Sequence, residues 1–246
     1  MPHCLVVQHV APESAFAIDE ALLAAGVTID TRRVFDGDDI PPDVAGFDGV
    51  VVMGGPMSVN STEGFPTRDV EVALLADALR IGIPTLGVCL GAQILAVAAG
   101  GAVAPNAYGP EIGWAPVHLA PACRDDRLLA GLPSTLTVLH WHGEGFALPP
   151  GARPLISSNT YPNQAFRIGD VAWGLQFHLE VTAAAVDGFL RAFGAEAANA
   201  PGGAEAIRSA TPAALRQLAP ARDLVCTRFA ALVAARVIRG DLVDQE

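Results

Sequence analysis

Lysine is absent from this sequence, and all fifteen basic residues are arginine. A lysine Schiff base, a pyridoxal phosphate anchor and a Walker-type phosphate loop each require a lysine side chain, so these chemistries are excluded. Basic charge is scarce as well, because 26 acidic residues give the chain a formal net charge of -11. Since nucleic-acid binding depends on a basic surface, we expect no nucleic-acid partner.

Cysteine and long apolar runs are also sparse. Four cysteines (Cys4, Cys89, Cys123 and Cys226) lie far apart without a C-x-x-C pair, which favours free thiols over a zinc site or a disulfide framework. The longest apolar runs end well short of the roughly 20 residues that a membrane-spanning helix needs. The N-terminus also lacks the basic start of a secretory signal. We therefore expect no membrane association and a cytoplasmic location.

The pattern of apolar residues predicts an α/β fold with an open, mostly parallel central sheet flanked by helices. In the first hundred residues, β-branched runs alternate with helical patterns. The predicted strands are 3–10, 27–34, 48–53 and 84–88, and the predicted helices are 14–25, 67–80 and 90–99.

Beyond residue 103 the pattern changes to short strands and tight turns, including a hairpin through Gly169-Asp170, which predicts a smaller antiparallel β section. A further helix is expected over residues 181–193. Thr211-Pro212 is typical of a cap residue followed by a first-turn proline and predicts the start of the last helix. We expect one domain over residues 1–246 with a C-terminal helical extension from about residue 203.

A candidate nucleophile lies in the segment Gly87-Val88-Cys89-Leu90-Gly91, where a buried strand meets a helix. A turn of this kind needs small neighbours, because its central residue occupies a crowded and strained backbone position. The helix that begins at Leu90 points its N-terminal dipole at the sulfur, which favours the reactive thiolate. Such turns also occur for packing reasons, so the pentapeptide alone leaves catalysis and packing equally open.

A base and an oxyanion site complete the candidate constellation. His178 and Glu180, two residues apart at the end of a predicted strand, can project from the same sheet edge as a base and its orienting carboxylate. The segment Gly54-Gly55-Pro56 follows another strand, and its glycines let backbone N–H groups approach developing negative charge. An ordinary Gly-Pro turn is the alternative for that segment.

Together these three segments resemble the class I, or triad, glutamine amidotransferases, from about residue 45 to residue 185. The matching motifs are Gly54-Gly55-Pro56, residues 87–93 and residues 176–180. Segments 111–114 (EIGW) and 140–144 (HWHGE) are similar to stand-alone relatives of the GMP synthase amidotransferase domain. The resemblance implies a flavodoxin-like fold and a cysteine-dependent enzyme.

Carried over by position, the resemblance implies Cys89 as nucleophile, His178 as general acid/base and Glu180 as its orienting group. The amides of Gly55 and Leu90 would form the oxyanion hole. The remaining implied residues hold the two ends of a glutamine substrate: Gln93, Trp141, His142, Gly143 and Glu144. Leu179 replaces a proline that is common in the family, and Trp141 and Glu144 also differ from better-known members.

The implied reaction hydrolyses the γ-amide of glutamine through a γ-glutamyl-cysteine thioester and releases ammonia and glutamate. The ammonia could pass to a separate synthetase or acceptor subunit. Alternatively, the chain could act alone as a γ-glutamyl peptidase or hydrolase, and the lack of a nucleotide-binding Ser-Gly-Gly loop after residue 185 raises this alternative without deciding it. A non-catalytic binding or regulatory protein with the same fold is less favoured, because the triad is intact.

No metal and no organic cofactor are expected. His140 and His142 alternate on one predicted strand and could suggest a metal pair. Because no aspartate or cysteine ligand lies nearby in the sequence, we do not interpret this histidine pair as a metal site. His3, His9 and His118 are expected at ordinary strand positions.

Overall fold

Eleven strands and six α-helices lie within residues 1–243, the part of the chain whose backbone the computed structural model describes. Side chains are described to residue 236. The strands are β1 (His3–Gln8), β2 (Thr28–Arg33), β3 (Gly49–Val52), β4 (Thr85–Val88), β5 (Val103–Pro105), β6 (Glu111–Leu119), β7 (Thr135–His142), β8 (Glu144–Phe146), β9 (Arg153–Ser158), β10 (Ala165–Ile168) and β11 (Ala172–Leu175). The helices are α1 (Ala17–Ala24), α2 (Arg68–Ile81), α3 (Leu90–Ala98), α4 (Ala183–Ala192), α5 (Gly194–Ala197) and α6 (Gly203–Val243).

Nine of the strands form one mixed sheet in the order β2-β1-β3-β4-β11-β10-β9-β6-β7. The strands from β2 to β11 in this order pair in parallel, and those from β11 to β7 pair in antiparallel fashion. A separate antiparallel sheet joins β5 and β8. The predicted α/β fold is confirmed, and the predicted hairpin through residues 169–170 joins β10 and β11. The antiparallel section continues the central sheet instead of standing apart from it.

Helices cover both faces of the parallel half. Strands β3 and β4 are buried along their whole length, as their continuous apolar sequences require. Successive β1 residues alternate between the two core layers: Val6 packs with α1 and α6, and Leu5 packs with α2 and α3. All four cysteines are buried free thiols, as predicted.

The predicted cap of the last helix at Thr211-Pro212 was wrong. Helix α6 begins at Gly203, so Thr211 and Pro212 lie inside it. The Thr211 hydroxyl donates to the Ile207 carbonyl one turn earlier at 2.7 Å and accepts the Trp114 indole N–H at 3.0 Å. The hydroxyl therefore bonds within the helix and to a neighbouring strand instead of capping the helix. Packing of α6 on α1, α4 and the antiparallel strands stabilises the helix by more than the hydrogen bond lost at Pro212 costs. No helix among the described residues has both the length and the apolarity to cross a membrane.

Candidate active site

Cys89 occupies a strained turn between β4 and α3. Its φ of +53° and ψ of -108° lie outside the regions that a non-glycine residue ordinarily adopts. A Cβ at Gly87 would overlap the backbone of Gly91, and a Cβ at Gly91 would overlap the carbonyl of Val52. Only glycine fits at these two positions, so the flanking glycines allow the strand and helix to meet closely enough to form the turn.

The structure brings the three predicted triad residues together. His178 follows β11, the parallel neighbour of β4, and its backbone N–H donates to the Leu139 carbonyl at 2.9 Å. The His178 Nδ1 atom lies 2.8 Å from Glu180 Oε1, and both side chains are buried. Because Nδ1 is bound by the carboxylate, the other ring nitrogen, Nε2, which has no hydrogen-bond partner among the described residues, is the atom left to act on the Cys89 thiol. The thiol itself lies 3.7 Å from the Trp141 carbonyl oxygen.

Burial and neighbouring charges shift the pKa values of both His178 and Cys89. Burial disfavours the His178 imidazolium, but Glu180 and the Cys89 sulfur outweigh it and hold the His178 pKa well above its ordinary value. Burial raises the pKa of the Cys89 thiol, whereas His178 and the Leu90 backbone N–H lower it. The N-terminus of α3 therefore lowers the pKa of the Cys89 thiol, as predicted, but burial raises this pKa by more. A strongly basic imidazole is then needed to remove the thiol proton.

The Gly54-Gly55 loop packs directly against the imidazole. A Cβ at Gly54 would overlap the Glu13 carboxylate and lie 3.1 Å from His178 Cε1. His9 supports the loop from behind: its Nδ1 lies 3.1 Å from the Met53 carbonyl oxygen and 3.0 Å from that of Gly54. On the far side of its ring, His9 binds Glu71 at 2.8 Å. His9 thus lies beyond the end of β1, not within a strand as expected, and helps position the loop.

A cavity of about 310 Å³ opens over the sulfur. Its walls come from the Gly55 loop, from Cys89 and Gln93, and from the end of β7 with the turn that follows it. All five residues expected to hold substrate line it: Gln93, Trp141, His142, Gly143 and Glu144. Leu90 does not line the cavity, but its N–H faces the sulfur.

The cavity is acidic. The Ser58 hydroxyl lies 3.0 Å from each Glu144 carboxylate oxygen. A second lining carboxylate, Glu196 of α5, accepts the Trp141 indole N–H at 3.0 Å. Lining residues among the described part of the chain include no arginine or lysine. Glu196 was not predicted, because it lies beyond the region of resemblance and carries no local motif.

Glu13 is a second carboxylate that the sequence did not indicate. It lies in the loop between β1 and α1, is 4% exposed, and places Oε2 3.9 Å from His178 Nε2. Burial raises the Glu13 pKa to about 7, against the opposing charges of His178 and His9. The imidazole therefore has one carboxylate at each ring nitrogen, one bound closely and one more distant.

The chain is similar to known glutamine amidotransferases over most of its length. Residues 14–193 match the family described as "Glutamine amidotransferase class-I". The glutamine amidotransferase-like protein YfeJ of Salmonella typhimurium is 36% identical over 199 residues, which cover 80% of this chain and 83% of YfeJ. The glutamine-hydrolyzing GMP synthase of Porphyromonas gingivalis is 37% identical over 154 residues, which cover 61% of this chain and 28% of the synthase.

Solved structures agree with these matches. A glutamine amidotransferase from Thermotoga maritima superposes with a TM-score of 0.83 at 28% identity, covering 94% of this chain and 98% of that one. A glutamine amidotransferase from Methylobacillus flagellatus gives 0.79 at 29% identity, covering 98% and 95%. The resemblance inferred from three short motifs is thereby confirmed, and the chain belongs to the class I glutamine amidotransferase family.

Proposed function

We propose that this protein hydrolyses the γ-amide of glutamine through a γ-glutamyl thioester on Cys89. The observation that supports this most directly is the buried His178, bound to Glu180 at 2.8 Å and near enough to the strained Cys89 turn for imidazole and thiol to shift each other's pKa. A nucleophile, a base and an orienting carboxylate in this relation can carry out acyl transfer without a cofactor.

In the proposed reaction, His178 takes the proton of Cys89, and the sulfur attacks the γ-carbonyl carbon. The carbonyl oxygen becomes an oxyanion, which the amides of Gly55 and Leu90 stabilise; loss of one such donor typically costs about 3 kcal/mol of barrier. The C–N bond then breaks as His178 returns the proton to the leaving nitrogen. His178 next deprotonates a water molecule, which attacks the thioester, and glutamate leaves with the Cys89 thiol restored.

The cavity supplies groups for the two ends of glutamine. Glu144, held by Ser58, fits the α-ammonium group. Gln93 donates to the Glu144 carbonyl and to Gln176 at 3.3 Å each, which keeps this wall in place. For the α-carboxylate, we propose backbone N–H groups where β7 ends and β8 begins as the donors.

A second candidate function is γ-glutamyl peptidase or hydrolase activity by the isolated chain. The observation that favours it is Glu196, a carboxylate beyond the one that the single ammonium group of glutamine requires. This extra negative charge suits a leaving group that is larger than ammonia and carries a positive charge of its own. In the first function, by contrast, a separate synthetase or acceptor subunit would receive the ammonia.

A substrate screen tests both functions. Purified protein is incubated with glutamine and with a panel of γ-glutamyl peptides, with and without candidate synthetase subunits, and glutamate release is measured. Turnover of peptides by the chain alone favours the hydrolase, and partner-dependent turnover of glutamine favours the amidotransferase.

The nucleophile is tested in the same assay with Cys89→Ala. We expect turnover to vanish in this variant and to persist in Cys123→Ala, a matched control that removes another buried thiol. Cys89 should also react with iodoacetamide faster than Cys123 at neutral pH. Full activity of Cys89→Ala on every γ-glutamyl substrate would refute the assignment, and equal alkylation rates would favour a non-catalytic role.

A further inference from the structure

Three metal-ligand side chains outside the triad meet at the junction of β6 and β7. Glu111 begins β6 and is paired in register with His142 on β7, and His140 lies two residues earlier on the same face. Glu111 Oε2 lies 3.3 Å from His142 Nε2 and 3.6 Å from His140 Nδ1, and the two nitrogens are 3.5 Å apart. The three atoms form a nearly equilateral triangle.

These separations suit a shared ion better than hydrogen bonds. Charge-assisted N–H···O bonds are usually about 2.7–2.9 Å long, well below the distances found here. Ligands about 2.0–2.1 Å from a tetrahedral metal, by contrast, lie roughly 3.3–3.4 Å from one another. A tetrahedral ion lies about 0.7 Å out of the plane of a triangle of the observed size, which puts it about 2.1 Å from each corner, a normal metal-to-ligand distance.

The hydrogen bonding of His142 also calls for a positive species at this point. Its Nδ1 lies 3.2 Å from the Glu144 carbonyl oxygen, and because a carbonyl can only accept, Nδ1 carries the proton. In the neutral ring, Nε2 then points a lone pair at the Glu111 carboxylate. A cation between these atoms, either a metal ion or a proton, removes the repulsion.

The carboxylate is held in place by its neighbours. The Ser158 hydroxyl donates to Glu111 Oε1 at 2.7 Å, and the Gln164 amide donates to Oε2 at 2.6 Å. Metal ligands are commonly oriented by outer hydrogen bonds of this kind, as His142 is by the Glu144 carbonyl. Both histidines are buried, so their rings need little further ordering before they bind an ion.

We propose that Glu111, His140 and His142 bind one divalent transition-metal ion. Two imidazoles and one carboxylate suit Zn²⁺, with water as the fourth ligand. The ion lies beside the reaction centre, since His142 lines the cavity and the neighbouring Trp141 carbonyl oxygen is 3.7 Å from Cys89 Sγ. Its role is to hold the end of β7, and hence the substrate-facing wall, in place. The sequence analysis rejected His140 and His142 as a metal pair for want of a third ligand, because Glu111 is supplied by the neighbouring strand.

Metal binding is measured on the Cys89→Ala protein, so that the thiol cannot bind the ion. After equilibration with Zn²⁺ and removal of the excess, we expect one ion per chain by elemental analysis, and a tetrahedral visible spectrum with Co²⁺. In this background Glu111→Gln and His140→Gln should each weaken Zn²⁺ binding at least about 100-fold. His118→Gln, which changes a partly buried histidine of β6 outside the cluster, is the matched control and should bind as before.

Folding of each variant is checked by far-UV circular dichroism and by its thermal midpoint without metal. Because loss of a buried histidine can also disturb folding, Ser158→Ala serves as a milder variant that frees the carboxylate and should weaken binding by about 10-fold. Added Zn²⁺ should raise the thermal midpoint of the Cys89→Ala protein but not that of its Glu111→Gln derivative. The proposal is overturned if the Cys89→Ala protein retains no metal, or if folded Glu111→Gln and His140→Gln variants retain as much as it does.

Discussion

Glu13 offers a direct test of the electrostatics around His178. Its pKa in the folded protein is about 7, against an ordinary value of 4.5, and burial is the main cause. The folded state therefore holds the proton of Glu13 more tightly than the unfolded chain does. It follows that Glu13 lowers the free energy of unfolding progressively as the pH rises from about 4.5 through about 7. Glu13→Gln keeps the shape of the protonated acid and removes this loss.

The size of the effect follows from the two pKa values. The difference between about 7 and 4.5 corresponds in full to about 3 kcal/mol. On the order of 2–3 kcal/mol of this develops between pH 5 and pH 8. Any constant effect of the substitution, such as an unpaired amide, is the same at both pH values. The change in the variant-minus-wild-type difference therefore reports the charge alone.

The assay is urea unfolding of wild type, Glu13→Gln and Asp19→Asn at pH 5, pH 6.5 and pH 8. We expect the free energy of unfolding of Glu13→Gln, relative to wild type, to be about 2–3 kcal/mol higher at pH 8 than at pH 5. Asp19→Asn is the matched control, because burial raises the Asp19 pKa to about 6. The increase in the stability of this variant relative to wild type should therefore be nearly complete by about pH 6.5. If the two Glu13→Gln differences at pH 5 and pH 8 agree within error, Glu13 does not titrate near neutrality, and its proposed environment is wrong.

Two further predictions concern the imidazole and the turn. Glu180→Gln removes the charge that raises the His178 pKa. We therefore expect kcat, measured as glutamate release, to fall by roughly 10²–10⁴-fold with little change in KM. An unchanged kcat would show that the carboxylate is dispensable. Gly91→Ala drives a methyl group into the Val52 carbonyl and should lower the free energy of unfolding by about 3 kcal/mol or more, whereas Gly194→Ala, in open space, should change it little. Equal stability of the two variants would contradict the packing described at the turn.

The parallel half of the fold could be predicted because its sequence pattern is strong. Strands β3 and β4 are continuous apolar runs buried on both faces, and α2 repeats apolar residues at helical spacing. Strand β9 (Arg153–Ser158), in contrast, carries no such pattern. It has only two buried residues and begins with an arginine and a proline, so its sequence resembles a loop. Pairing with β6 and β10 makes it a strand, and this pairing is tertiary information.

The site was predictable to the extent that its residues carry local patterns. Cys89 could be found because its strained backbone requires glycines at fixed positions beside it. No local sequence pattern marks three carboxylates of the site, Glu13, Glu196 and Glu111. Each reaches the site from a different part of the chain, and only the folded structure shows which groups it faces. Single carboxylates that reach the site from separate parts of the chain were therefore the residues most readily missed.

Sheet order explains why such distant segments meet at one sulfur. Strands β3, β4 and β11 are adjacent and parallel, so their carboxyl ends lie at one edge, and Gly54, Cys89 and His178 follow these three ends. Register sets the fine geometry: Val88 pairs with Leu175, one residue before Cys89 and three before His178. A slip of one residue would move the imidazole by about 3.3 Å and turn it to the opposite face. The backbone hydrogen bonds that stabilise the centre of the sheet therefore also hold the distance between thiol and imidazole, so substitutions that loosen β11 should impair turnover before they unfold the chain.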